Sequence, residues 1–225
     1  MLVVVLIATL LAIFAPVTDG DDATGPAPLP TAAPTPSTAE VAGPCSVAAS
    51  DASSTPSMPA DLTWKTGADG VTWPVSKSVG PTKSIDGFDA CFARTPLGVA
   101  LAAQTAIYSQ YDTAHSAADS LSHYIIDSPG KAAAIAGTVK SSSPEQLRTS
   151  GMNPAGFTID RFTADRADVT LVFSLPATGT GYVGIPCSLQ WVNDDWKLSV
   201  LDNGQLTSGT PTTPSKGDFV SWRRD

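Results

Sequence analysis

The chain contains only two histidines, and they fall with an aspartate at His115, Asp119 and His123. Helical spacing places positions i, i+4 and i+8 on one face, so an adjacent pair lies within reach of one metal ion. All three cannot share it, because eight residues rise about 12 Å along a helix. The apolar positions of this segment, Leu121 and Ile125, lie on another face. The histidine face is therefore expected to be solvated, and no metal site is predicted. A Ser-His-Asp system needs a serine on a strained turn of the Gly-x-Ser-x-Gly kind, and the chain has none; Thr149-Ser150-Gly151 reads as a helix end. The paired carboxylates Asp194-Asp195 sit in a tight turn, where water is expected to reach them, and they read as turn formers. Gly179-Thr-Gly-Tyr-Val-Gly184 lacks the strand-to-helix setting of a phosphate loop and reads as a hairpin tip. The expectation is a protein without catalytic residues, metal or cofactor.

The three cysteines, Cys45, Cys91 and Cys187, allow one internal bridge and leave one thiol. No Cys-x-x-Cys occurs, so zinc-knuckle and thioredoxin-type sites are excluded. Cys187 lies in an alternating apolar segment and reads as a small buried hydrophobe. Cys45 and Cys91 fall in irregular segments, and a bridge between them would staple the end of a linker to the domain. Such use of cysteine fits an oxidising compartment.

Charge divides the chain unevenly. Before Lys65 there are six acids (Asp19, Asp21, Asp22, Glu40, Asp51, Asp61) and no bases, giving −6; from Lys65 onward 13 bases oppose 15 acids, giving −2 of the total −8. No basic patch exists to neutralise phosphates, which excludes a nucleic-acid binder. Residues 1–17 carry no charge. As a helix they would span roughly 25 Å, slightly less than a hydrocarbon core of about 30 Å. The segment lacks a basic n-region and a good small-residue cleavage pattern, so an uncleaved transmembrane anchor is expected, with a cleaved signal segment as the alternative. The bulk of the chain is then extracellular on a single-pass membrane protein. Residues 18–60 collapse to Ala, Pro, Thr, Ser, Gly and Asp and read as a disordered, semi-extended linker. Residues 61–225 are the folded domain.

Within that domain, Leu62-Thr63-Trp64 and Val71-Thr-Trp-Pro-Val75 predict an extended segment packed on the surface. Thr95-Pro96 predicts a helix N-cap with proline at the first position, and Leu97, Leu101, Gln104, Tyr108 and Tyr111 continue at helical spacing. Further helices are expected over 114–126, from Ser128-Pro129 to about Lys140, and from Ser143-Pro144 to Ser150. From Ala155 the period becomes two. Phe157 and Ile159, then Val169, Leu171, Phe173 and Leu175, then Val183, Ile185, Cys187, Leu189 and Trp191, then Trp196 and Leu198, predict consecutive strands. The turn Asn193-Asp194-Asp195 joins the last two. The fold class is α+β: helices on one face of a curved antiparallel meander.

The string Cys91-Phe92-Ala93-Arg94-Thr95-Pro96-Leu97-Gly98 carries a resemblance, together with Trp64, Gly80-Pro81, the hairpin Leu189–Leu198 and the terminal Phe219-Val-Ser-Trp222. These residues are similar to an uncharacterised family of secreted or membrane-anchored proteins encoded on conjugative elements and plasmids of high-GC Gram-positive bacteria. The layout also resembles the nuclear transport factor 2-like cone found in periplasmic subunits of type IV secretion channels. The resemblance implies that Cys91 is a structural half-cystine, that Arg94-Thr95-Pro96 starts the helix, and that Gly98 permits that helix to approach the sheet closely. It supplies no catalytic residues.

A cone encloses a pocket, whose candidate wall residues here are Phe157, Phe173, Trp191 and Trp196; Asp160 and Asp168 fall at outward strand positions. Trp64, Trp73 and Trp222 are candidates for an exposed partner-binding patch. The expected function is a non-enzymatic, membrane-anchored accessory or scaffold of a conjugation (type IV secretion-like) apparatus, with other membrane and channel proteins as partners. The alternatives are a cone domain that binds or transforms a small apolar ligand and a general cell-surface binding protein.

Overall fold

The computed structural model describes residues 45–49, 56–141, 143–205 and 209–222. The anchor expected at 1–17 lies outside them, as does most of the linker at 18–60. Among the described residues no helix is long and apolar enough to cross a membrane.

A single helix organises the domain. α1 (Pro96–Tyr108) starts where Thr95 caps it, its hydroxyl accepting the Gly98 N–H at 3.1 Å, with Pro96 at the first helical position. Every residue of α1 except Ile107 is buried. Its Ala-rich, apolar-all-round sequence suits a helix enclosed by neighbours on every side. Three shorter helices follow: α2 (Ala117–Tyr124), α3 (Lys131–Ser141) and α4 (Pro144–Thr149).

Beneath α1 lies a five-stranded antiparallel sheet of β5 (Asn153–Phe162), β6 (Arg166–Ser174), β7 (Tyr182–Val192), β8 (Asp195–Ser199) and β9 (Val220–Ser221), in the order β8-β7-β6-β5-β9. The meander β5 to β8 is the predicted one, and Phe219-Val-Ser-Trp222 returns to its far side as expected. Alternation does what the period of two requires: Ala167, Val169, Leu171 and Phe173 are buried on β6, while Asp168 and Thr170 face outward. The outer edge of β8 is covered, because the Ile126 N–H donates to the Leu198 carbonyl at 2.9 Å.

The segment expected to be merely extended forms two hairpins. β1 (Leu62–Thr66) pairs with β2 (Thr72–Ser76), and β3 (Lys83–Ile85) pairs with β4 (Phe88–Ala90). Asp86 and Gly87 both take positive φ between Ile85 and Phe88, the geometry of a two-residue primed turn. The first hairpin is no surface strap, since Trp73 has 0 % exposure and packs against Tyr108 of α1.

α2 begins three residues later than its periodicity predicts. Asp112 accepts the Ala114 N–H at 3.0 Å, holding Thr113–Ser116 as a turn, and Ser116 then caps the helix by accepting the Asp119 N–H at 3.1 Å. His115 is therefore not on the helix that carries His123.

Candidate functional site

The linker end meets the domain at a buried junction. Cys45 and Cys91 form a disulfide (S–S 2.03 Å) and are 1 % and 0 % exposed. Cys187 is a buried free thiol whose pKa burial pushes up to about 12. That makes it an unreactive core residue. The turn joining β7 to β8 reaches the junction with both its carboxylates. Asn193 and Asp194 take positive φ between the paired residues Val192 and Asp195, a primed two-residue turn. Asp194 accepts the Cys45 N–H at 2.9 Å. Asp195 accepts the Cys91 and Phe92 N–H groups, each at 3.0 Å, and that of Trp196 at 2.9 Å.

This corrects the expectation of a water-exposed carboxylate pair. Asp195 is buried, and burial raises its pKa against the opposing effect of the N–H groups of Phe92 and Cys91. The sequence reads this pair as a turn because the turn is local, whereas its remote partners Cys45, Cys91 and Phe92 lie 149, 104 and 103 residues away. Cys91 itself holds φ +68°, a strained conformation for a side chain larger than glycine. The Cys91 and Phe92 N–H groups donating to Asp195, the Thr82 hydroxyl donating to the Cys91 carbonyl at 2.9 Å and the disulfide all hold it there.

Gly98 is required by close packing, but against a different neighbour from the sheet. A Cβ there would lie 2.0 Å from the Ala93 carbonyl oxygen, in the chain that leads from the disulfide into α1. The same oxygen accepts Trp196 Nε1 at 3.0 Å.

The two histidines come together in a way their spacing does not predict. The Phe88 ring lies between them, 3.9 Å from the His115 ring and 4.3 Å from the His123 ring, stacked on both. Lys197 donates to His123 Nε2 at 3.3 Å. Burial, reinforced by the Lys197 charge, lowers the His123 pKa to about 4, and burial also lowers that of Lys197. The two histidines of the face expected to be solvated are thus a half-buried clamp on β4, while Asp119 of that face is exposed. Among the described residues no group of three or more metal-ligating side chains occurs. On the other side of the hairpin, Lys65 donates to Asp89 at 2.8 Å and to Asp112 at 2.5 Å. Burial disfavours its charge, but the two carboxylates outweigh this and raise its pKa.

The tryptophans do not form an exposed patch. Trp73 and Trp222 lie in the core, the Trp222 ring tilted 35° against Phe157 with ring centroids 4.5 Å apart, and Trp64 is partly buried against the same core. Large apolar rings on strands that face α1 and the sheet gain more from enclosure than from display. Of the four pocket-wall candidates, Phe157 and Trp196 are ordinary core. Trp191 is half-buried beneath the Arg94 guanidinium, which lies 4.9 Å from its ring centre and pairs with Asp165. Asp160 and Asp168 face outward as expected, held by Thr158, Thr170 and Ser188.

Phe173 does line a cavity. It measures about 70 Å³ and lies where Tyr108 of α1, Leu121 and Ile125 face Phe173, Ile185 and Leu198 of the sheet. No acid or histidine lines it. Tyr108 stacks on Phe173 with rings 10° from parallel, and its buried hydroxyl has no hydrogen-bond partner among the described residues. One turn earlier on α1, both amide atoms of Gln104 and the Thr105 hydroxyl are equally buried and unpartnered. Each such orphan costs about 1–3 kcal/mol. Sequence reasoning placed Gln104 and Tyr108 on the inner face of α1 but had no signal for the gap beside Tyr108.

The class so defined is an α+β domain in which an enclosed helix packs on an antiparallel sheet and a disulfide fastens the leading segment to it. Residues 24–221 match the family described as a domain of unknown function (DUF8175), and the chain belongs to that family. No curated protein and no solved structure matches it.

Proposed function

We propose that this chain is a membrane-anchored, extracytoplasmic accessory protein without catalytic activity, a scaffold within a conjugation-type, type IV secretion-like transfer apparatus. Residues 1–17 anchor it, residues 18–60 hold the domain away from the bilayer, and other membrane and channel proteins of the apparatus are its partners. The observation that carries this reading is the Cys45–Cys91 bridge together with the carboxylates that clasp it. Bridges of this kind persist in oxidising compartments. This one sits where a tether joins a folded body, so pull on the linker is borne by a covalent link and by backbone hydrogen bonds, not by β1 alone. On this reading the helix-on-meander layout is a nuclear transport factor 2-like cone used as a rigid platform.

The test is deletion of the gene from a conjugative donor, combined with in vivo crosslinking from the domain surface. The reading expects transfer frequency to fall at least tenfold, restoration by the wild-type chain, and crosslinks to channel components. Unchanged transfer with no channel crosslink would instead place the protein among general cell-surface binding proteins.

A further inference from the structure

We propose that the cavity beside Tyr108 is a binding site for a small uncharged molecule with an apolar body and one hydrogen-bonding oxygen, held by the Tyr108 hydroxyl. This goes beyond the scaffold reading and stands whether or not that reading holds. The walls come from all four helices, three adjacent strands and the connections beside them, so the cavity lies where the helices meet the sheet. They carry no charged group, which leaves an ionic ligand unpaired in an apolar surround.

Water fits poorly. A buried water needs two to four polar partners, and this wall is mostly Ala, Leu, Ile, Met and Phe side chains, with Tyr111, Gln110 and Thr138 as its polar members besides Tyr108. Buried polar groups are nearly always paired, so a hydroxyl left alone in the core calls for an occupant that pairs with it. Tyr108 stays protonated there, because burial drives its pKa well up, and it is therefore a standing donor. A cavity of about 150 Å³ takes the six heavy atoms of benzene, so about 70 Å³ takes roughly three. The cavity is partly open where half-buried Gln110 and Thr138 border it, and the remainder of a short chain extends there.

The probe is 1-butanol, titrated into the full chain labelled at Ile and Leu methyls and followed by NMR. Saturable shifts confined to Ile107, Leu121, Ile125, Leu147, Ile185 and Leu198 are expected, with a millimolar dissociation constant. Tyr108→Phe should weaken binding at least fivefold, and Leu147→Phe, which fills the cavity, should abolish it. 1-Chlorobutane, similar in size but without the hydroxyl, should bind the unaltered protein at least fivefold more weakly, a comparison that holds even if Tyr108→Phe fails to fold. Shifts that grow linearly without saturation, or equal affinities for the alcohol and the chloride, would overturn the proposal.

Discussion

The Asp195 carboxylate accepts the Cys91 backbone N–H at 3.0 Å, so the turn that starts β8 holds in place the residue whose sulfur secures Cys45. Sheet, disulfide and the entry to α1 are thereby one mechanical unit. Replacing Asp195 with Ala strands the Cys91 and Phe92 donors in the core, and we expect a loss of about 2–4 kcal/mol in urea unfolding. Asp195→Asn keeps an acceptor and should lose less than half as much.

Reduction state is countable. In protein unfolded without reductant, one thiol of three should react with maleimide, and peptide mapping should assign it to Cys187. The Cys45→Ser, Cys91→Ser pair should destabilise the domain by about 2–4 kcal/mol, since the bridge closes a loop with a sequence separation of 46. Three reactive thiols would refute the bridge.

Gly98→Ala drives a methyl into the Ala93 carbonyl, 2.0 Å from where the new Cβ would stand. The backbone must shift at the junction of disulfide and helix, so a cost of at least about 2 kcal/mol in thermal or urea melts is expected.

Acid should weaken the fold before its carboxylates titrate. The His123 pKa is about 4 in the folded state and about 6.5 when unfolded. Below pH 6.5 the unfolded chain takes up a proton that the folded chain refuses, so stability falls as pH drops from 6.5 to 4, by at most about 1.4 kcal/mol per pH unit. Asp195 acts oppositely, because its raised pKa makes the folded state the earlier proton acceptor as pH falls towards the carboxylate range. His123→Gln should flatten the melting temperature profile between pH 6.5 and 4 and leave the region above pH 7 unchanged.

Much of this architecture is legible from local chemistry. Thr95-Pro96 marks the start of α1, the alternation from Val169 to Leu198 marks the meander, and Asn193-Asp194 marks its last turn, because caps, periods and turns are written in neighbouring residues. What the sequence does not disclose is long-range. Asp195 reads as a turn former because its partners Cys91 and Phe92 are remote. His115 and His123 read as one helical face until Asp112 and Ser116 delay the start of that helix and Phe88 arrives from another hairpin. Trp73 and Trp222 read as display residues because nothing adjacent reveals that α1 and Phe157 enclose them. The cavity beside Tyr108 is a property of how side chains from four helices and three strands fail to meet, and no single segment encodes it.

The central claim, that the disulfide-clasped body stands outside the cell membrane, is tested most directly by labelling intact cells with a membrane-impermeant amine reagent. Domain lysines such as Lys77 and Lys83, both exposed, should be modified without lysis while a cytosolic marker stays unlabelled. Labelling of these lysines that appears only after the cells are broken would contradict the account.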